Sequence, residues 1–366
     1  MADCHTQCKI CRSGDMATGS RSRCAGSDSS FFSPKPLQCP HRFPEGEVMD
    51  TLHTRRASGP PVWSSLFALA FVVAASGLGT PAALAQALSP ANAQRLYVFG
   101  DSLVDLGNVF IISRGTFPPS PPYFEGRLSN GPLWIEDLAA RLNLPLQPSL
   151  EGGTGYAFGG ATTGFKPSQP PPPGIPPGIP GVLAQVATFA ETRPPVAPED
   201  LFFVVAGSND ILLFGESDID LLLDNVATAL SELYAQGART IVVTNLPPLS
   251  RTPLAGSDPQ QVAALGVLTR TYNRKLERRL QLLEQTQPGL KPILLDAYAL
   301  VLALIDNPAR FGLTNVTEPC LTETAVCPDP EQYLFWDEVH PTAAVGRILA
   351  DYAYAVLARS TLPAAR

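Results

Sequence analysis

Four short apolar segments, separated by stretches with helical periodicity, limit the folds open to this chain more than any other feature. They run over residues 96–99, 201–205, 240–243 and 293–295 and are rich in β-branched and aromatic residues. Nearly continuous apolar segments of this length are typical of parallel strands that helices cover on both faces. The pattern therefore predicts an α/β fold with a central parallel sheet.

The stretches between these segments carry helical signals. Residues 135–142 present an apolar face, and residues 223–233 repeat leucine and valine at helical spacing before Gly237. The longest predicted helix begins at residues 257–260 (Ser-Asp-Pro-Gln), where a capping residue precedes an early proline, and ends at residues 288–289 (Pro-Gly). Because ligands of parallel sheets bind at the carboxyl ends of the strands, functional residues should directly follow the apolar segments.

The first 85 residues differ from the rest. Residues 49–85 have a basic start, an apolar run and a small-residue cleavage pattern, as a secretory signal peptide does. Glycines and a proline interrupt the apolar run, which argues against a membrane-spanning helix, and Arg55-Arg56 leaves a twin-arginine signal as an alternative. We expect residues 1–48 to be a non-native or disordered extension, residues 49–85 to be the signal peptide and residues 86–366 to be the exported domain.

Charge and metal-ligand content exclude several function classes. Cys4, Cys8 and Cys11 have a spacing that resembles the cluster ligands of radical SAM enzymes, but no strand precedes them and an export signal follows, so we interpret the spacing as chance. Beyond residue 85 the chain has 18 Lys and Arg against 27 Asp and Glu, which argues against a nucleic-acid partner. A single histidine in that part excludes a histidine-clustered zinc site.

Ser102 directly follows the first apolar segment, in residues 99–103 (Phe-Gly-Asp-Ser-Leu). A serine that leaves a strand and begins a helix has an exposed hydroxyl near partly positive backbone N–H groups, which favours a developing oxyanion. For an isolated motif an N-cap serine is the simpler interpretation. His340 is the only histidine beyond residue 85, so an imidazole base for Ser102 has to be His340. Asp337 precedes it by three residues and is placed to orient the ring, although a lone surface histidine is the alternative.

Two further segments supply candidate oxyanion donors. Asn209 follows the second apolar segment, where a side-chain amide can donate to an oxyanion, although a turn or cap residue is an equal interpretation. The glycine pair at residues 159–160 offers a backbone N–H, and a plain turn would also explain it. Residues 167–180 contain eight prolines, which predicts an extended polyproline II segment that forms a surface loop or the wall of a substrate groove.

Together these positions resemble the GDSL family of the SGNH hydrolase superfamily. The family's first block matches residues 100–103 (Gly-Asp-Ser-Leu), its third matches residues 207–210 (Gly-x-Asn-Asp), and its last matches residues 337–340 (Asp-x-x-His). Residues 126–131, 246–249 and 333–337 are also similar to the lipase and esterase branch of that family. The resemblance covers about residues 95–355.

The resemblance implies a three-layer flavodoxin-like fold that cleaves carboxylic esters through an acyl-enzyme on Ser102. His340 would act as general base and then acid, and Asp337 would orient it. The oxyanion would accept from the backbone N–H of Ser102, from the Asn209 amide and from a second-block glycine, placed at Gly160 by its position ahead of residues 161–162. An acyltransferase on the same site, or a non-catalytic carbohydrate-binding or adhesion module, is the alternative.

Cys320 and Cys327 are the remaining expected feature. An even pair at this spacing in an exported protein predicts a disulfide that holds the segment leading into Asp337 and His340. The expected partner is a small-molecule or lipid ester, with no metal, no organic cofactor and no stable membrane insertion after signal removal. A secreted or periplasmic location follows from the signal peptide, and no feature of the sequence specifies an oligomeric state.

Overall fold

The computed structural model describes residues 93–360, apart from residues 168–169, 172–173 and 193. The predicted extension, the predicted signal peptide and the cysteines of the first 39 residues lie outside the described residues. The strands are β1 Leu96–Gly100, β2 Leu201–Val205, β3 Thr240–Thr244, β4 Lys291–Leu295, β5 Asn315–Pro319 and β6 Tyr333–Phe335. The helices are α1 Asn108–Ile112, α2 Trp134–Leu142, α3 Val182–Thr192, α4 Ser208–Leu212, α5 Ile219–Ala235, α6 Pro259–Thr286, α7 Ala297–Asp306 and α8 Ala343–Ser360.

The central sheet is parallel throughout and has the strand order β1-β2-β3-β4. Residues 154–158 run along the free edge of β1, where the Val98 N–H donates to the Thr154 carbonyl at 3.0 Å and the Tyr156 N–H donates to the Val98 carbonyl. The second extended segment of the chain therefore lies outside the first, as in flavodoxin-like sheets. The predicted α/β class is confirmed.

Alternate strand residues face two different helical layers. Tyr97 and Phe99 pack in a buried cluster with residues of α3, α5 and α6, whereas Leu96 and Val98 pack on the opposite face with residues of α2 and α8. Because side chains alternate along a strand, a strand buried in this way has to be apolar at every position. This requirement explains the unbroken apolar segments and produces three layers.

The predicted helices coincide with helices of the structure. Other helices of the structure have no clear periodicity in the sequence. Residues 135–142 and 223–233 lie in α2 and α5, and α6 begins where predicted, with the Asp258 carboxylate accepting from the Gln260 N–H. α7 is apolar at nearly every position, so it lacks the polar face that periodicity detects. Across the described residues, no helix combines the length and the hydropathy that crossing a bilayer requires.

A small parallel pair, β5 and β6, leads into Asp337. A disulfide joins Cys320 and Cys327, whose Cα atoms are 4.8 Å apart. The Cys320 N–H donates to the Phe335 carbonyl at 3.0 Å, and the Leu321 N–H donates to the Trp336 carbonyl at 2.6 Å. The disulfide loop thus pairs with the residues that directly precede Asp337.

Replacing both cysteines by serine should lower the free energy of unfolding by about 2.5 kcal/mol, the value that chain entropy gives for an eight-residue loop. Urea unfolding of the variant and of the untreated protein measures this difference. Reduction with dithiothreitol should destabilise the protein that keeps both cysteines and leave the stability of the double variant unchanged. Equal stability of the variant and the untreated protein would contradict the assigned role of the disulfide.

Candidate active site

A tight backbone approach at the end of β1 determines where Ser102 emerges. Gly100 has a φ of +151°, and a Cβ there would lie 2.3 Å from the Val205 carbonyl oxygen, so no larger residue fits. The Gln185 side chain accepts from the Gly100 N–H and donates to the Gly100 carbonyl, both at 2.8 Å. These contacts hold the chain at the point where Ser102 follows, with its hydroxyl at the carboxyl edge of the sheet.

The structure brings Ser102, His340 and Asp337 into one contact chain. The Ser102 Oγ lies 2.8 Å from the His340 Nε2, and the His340 Nδ1 lies 2.7 Å from the Asp337 Oδ2. The other oxygen of Asp337 accepts the backbone N–H groups of Val339 and His340 at 2.8 and 2.7 Å. A carboxylate that accepts from its own turn is fixed in place, and it fixes the ring that contacts it.

The opposite charges of Asp337 and His340 shift the pKa values of the two groups in opposite directions. Burial alone would raise the pKa of Asp337, but the His340 charge and hydrogen bonds from the turn lower it to about 2. Burial alone would lower the pKa of His340, but the charge and hydrogen bond of Asp337 outweigh burial and raise it above its ordinary value. Asp337 is therefore ionised at neutral pH, and the ring is a stronger base than a free imidazole.

Three side chains hold the loop of residues 159–163, named here the oxyanion loop. Asp105 accepts the Gly159 N–H at 2.7 Å, the Asn209 Nδ2 donates to the Ala161 carbonyl at 2.9 Å, and Asp210 accepts both the N–H and the hydroxyl of Thr163. Asp105 comes from the turn after β1, and the other two come from α4 after β2. The ends of two neighbouring strands thus position one loop.

The two glycines of the loop differ in whether their backbone N–H group is already hydrogen-bonded. The Gly159 N–H donates to Asp105, whereas the backbone N–H groups of Gly160 and Ser102 donate to no partner among the described residues. Gly160 has a φ of +85°, a conformation that favours glycine. Gly160 rather than Gly159 therefore retains an N–H for an incoming acceptor.

Buried carboxyl groups surround the nucleophile. Burial raises the pKa of Asp101 to about 7, and one of its oxygens is buried without a hydrogen-bond partner among the described residues. Burial raises the pKa of Asp105 to about 6 against four backbone hydrogen bonds that lower it, and burial also raises the pKa of Asp210. Burial thus raises the pKa of all three carboxyl groups, whereas the pKa of Asp337 is lowered.

Tyr123 joins the site without any signal in the sequence. Its hydroxyl donates to the Asp337 Oδ2 at 2.7 Å, the same oxygen that contacts His340. The residue lies in an irregular proline-containing segment, 214 positions from its partner, so neither periodicity nor spacing could indicate the contact. Residues 126–131 support the same turn, because the Ser129 hydroxyl donates to the Pro341 carbonyl at 2.9 Å.

In the described part of the chain, three cavities meet at Ser102, and the smallest, of about 250 Å³, lies between residues 128–134 and residues 341–346. The outer cavity, of about 460 Å³, is lined by Gly160, Asn209 and His340 together with Ile175 of the proline-rich segment. The inner cavity, of about 1050 Å³ counted out to its mouth, is lined by Ser102, Asn209 and aliphatic side chains of α7 and α8. Ile175, in the described part of the proline-rich segment, therefore contributes to the wall of the outer cavity.

Comparison with known proteins places this geometry in a family. The model of the family described as GDSL-like Lipase/Acylhydrolase matches residues 96–353. A phosphatidylcholine-sterol acyltransferase from Aeromonas hydrophila is 31% identical over 231 residues, which cover 62% of this chain and 65% of that protein. The GDSL esterase/lipase EXL3 from Arabidopsis thaliana is 27% identical, covering 69% of this chain and 84% of its own. The structure of the native M. smegmatis aryl esterase aligns with a TM-score of 0.43 at 16% identity, over 74% of this chain and 100% of that one.

Replacing Tyr123 by phenylalanine removes a donor that shares the charge of Asp337. The carboxylate should then interact more strongly with the imidazolium, so the pKa of His340 should rise further above its ordinary value. An NMR titration measures this pKa, with the His340 resonance identified by its absence from His340→Gln. Tyr354→Phe, which alters an exposed tyrosine, is the matched control and should leave the pKa unchanged. An unchanged pKa in Tyr123→Phe would show that the phenol does not act on the pair.

Proposed function

Because the chain belongs to the GDSL-like lipase/acylhydrolase family, we propose that this carboxylic ester hydrolase forms an acyl-enzyme on Ser102. His340 acts as the general base in the first step and as the general acid in the next. Asp337 orients the imidazole and stabilises its protonated form. Tyr123 is a positioning residue that acts through Asp337. No metal or organic cofactor takes part in the proposed steps.

The reaction proceeds in two halves. The Ser102 hydroxyl gives its proton to the His340 Nε2 as Oγ bonds to the ester carbonyl carbon, and the carbonyl oxygen becomes an oxyanion. His340 then donates that proton to the leaving alcohol oxygen as its bond to carbon breaks. Water enters, gives a proton to His340 and attacks the acyl-enzyme, and the Ser102 oxygen regains a proton as the acid leaves.

One observation carries this proposal. The hydroxyl, the imidazole and the carboxylate form a continuous chain of 2.8 and 2.7 Å contacts, and that chain faces a cavity also lined by Gly160 and Asn209. The unpartnered N–H groups of Ser102 and Gly160 and the Asn209 amide are the proposed oxyanion donors. Their positions support stabilisation of both tetrahedral intermediates by the same three groups.

Acyl transfer on the same site is the second candidate. The observation that favours it is the similarity to the A. hydrophila protein, whose name describes an acyltransferase. An alcohol in place of water would attack the same acyl-enzyme, with His340 again accepting its proton. Product analysis with added alcohols distinguishes the two, because transfer yields a new ester at the expense of the free acid.

Export and domain organisation are part of the proposal. Residues 49–85 serve as the signal peptide, residues 1–48 precede it as a non-native or disordered extension, and residues 86–366 form the hydrolase domain in the periplasm or outside the cell. The disulfide between Cys320 and Cys327 supports this location, because such bonds persist in oxidising compartments.

A fluorophosphonate probe tests the nucleophile. It should label Ser102 in the untreated protein and abolish ester hydrolysis, and Ser102→Ala should be neither labelled nor active. The labelling rate should rise with pH as His340 loses its proton, with a midpoint above about 6.5, because the structure raises the pKa of this ring. Mass spectrometry identifies the labelled residue. Undiminished hydrolysis by Ser102→Ala would refute the acyl-enzyme, and absence of any turnover would favour a non-catalytic binding module.

Replacing Asn209 by alanine should lower kcat by about 10² to 10³, the scale of one lost oxyanion donor. Asn225→Ala is the matched control, because the Asn225 amide also contacts the oxyanion loop, at the Thr163 hydroxyl, but lines neither cavity. The control should retain kcat within a few-fold in steady-state kinetics. Equal losses in the two variants would mean that Asn209 acts only by anchoring the loop.

A further inference from the structure

We propose that the inner cavity is an acyl pocket for an unbranched aliphatic chain of about ten carbons, while the alcohol part of the ester lies in the outer cavity. This inference rests on the proposed acyl-enzyme at Ser102. It names the substrate class and which half of the substrate each cavity takes.

The geometry of the tetrahedral intermediate determines which part of the ester enters which cavity. Its carbon bears the Ser102 oxygen, the oxyanion, the leaving oxygen and the acyl chain. The leaving oxygen has to face His340, which protonates it, and the oxyanion has to face Gly160 and Asn209. His340 and Gly160 line the outer cavity and do not line the inner one. The fourth substituent, the acyl chain, is left to enter one of the other two cavities at Ser102, and the inner cavity of about 1050 Å³, rather than the third cavity of about 250 Å³, has room for a long chain.

The lining of the inner cavity determines the chemistry of that chain. Its far part, at the β4 end of the sheet, is lined by Leu300, Val301 and Leu304 on α7, and Val345 and Leu349 on α8 also line the cavity. Such a surface binds hydrocarbon by removing it from water and offers nothing to a hydroxylated or charged group.

Polar side chains are a minority of the cavity lining, and two of them are already hydrogen-bonded within the protein. Asn245 donates to Asp296 and accepts from the Tyr298 N–H, and the Thr252 hydroxyl donates to the Leu249 carbonyl. Asp101 is the single ionisable side chain in the described lining, and it lies at the mouth beside Ser102. A sugar or a dicarboxylic acyl group would therefore leave its own polar groups without partners, which disfavours both.

The position of the cavity along the sheet sets the chain length. Its lining includes residues that follow β1, β2, β3 and β4 in turn, namely Ser102, Ala206, Leu246 and Ala297. Three interstrand spacings amount to about 14 Å, and an extended chain advances by about 1.2 Å per bond. An acyl chain of about ten carbons therefore spans the carboxyl edge of the sheet from Ser102 to α7.

The test uses two ester series and a variant that fills the far part of the pocket. In the untreated protein, kcat/KM for p-nitrophenyl esters should rise from acetate to about decanoate, by up to about fourfold per methylene. Val301→Trp should lower kcat/KM for the decanoate by 10-fold or more and leave that for the acetate within twofold. Val267→Trp, the same change at an exposed position of α6, is the matched control and should leave both rates unchanged.

The second series varies the alcohol instead. Acetate esters of n-alkanols from two to ten carbons should show the same dependence on alcohol length in the untreated protein and in Val301→Trp, because the outer cavity, which is itself largely apolar, does not contain Val301. A strong dependence on alcohol length that Val301→Trp abolishes would overturn the assignment of the two cavities. Rates for the acyl series that are flat or fall from acetate would overturn the acyl pocket, and this result needs no variant to fold.

The two proposals fail differently. Ser102-dependent hydrolysis of p-nitrophenyl acetate with no gain from longer acyl chains overturns the acyl pocket alone. Absence of Ser102-dependent hydrolysis of any ester in either series overturns the proposed function, and the acyl pocket with it. A Val301→Trp variant that loses all esters equally while it remains folded, as measured by thermal melting, also contradicts the acyl pocket.

Discussion

The rest of the site depends on the hydrogen bonds between buried polar side chains and the oxyanion loop. Asp105 reaches the loop from the end of β1, and Asn209 and Asp210 reach it from the end of β2. β1 and β2 are hydrogen-bonded neighbours, so these three anchors share one rigid support. Three anchors on one sheet hold the loop and its free Gly160 N–H in place, and this fixed placement is what the proposed oxyanion stabilisation would require.

Electrostatics around Ser102 reinforce that arrangement. Burial raises the pKa values of Asp101, Asp105 and Asp210, because burial disfavours the charged form of a carboxyl group. Asp337 differs because it pairs with His340 and accepts from its own turn, and its pKa is lowered to about 2. The carboxyl groups of the site thus differ in pKa because their partners differ, and Asp337, whose pKa is lowered, is the one that supports the proposed base.

Much of the fold and several site residues could be predicted because their signals are local. A strand buried on both faces has to be apolar throughout, and parallel strands deliver the residues that follow them to one edge. Ser102 and Asn209 are therefore candidates by position, His340 is the single histidine beyond residue 85, and the resemblance to a family favoured their functional roles over caps and turns. Gly160 was preferred to Gly159 by position in a motif, whereas the structure separates them by hydrogen bonding, because Asp105 occupies the Gly159 N–H.

The sequence by itself determined the class of fold, the strand ends that bear functional groups and the types of residue placed there, because period and position are properties of neighbouring residues. Only the tertiary structure decided that Tyr123 contacts Asp337 and that the inner cavity opens at Ser102. These features join residues hundreds of positions apart, and each lining residue looks in isolation like an ordinary core residue. Contacts of this kind arise from how the helices pack on the sheet, and no local pattern in the amino-acid sequence indicates that packing.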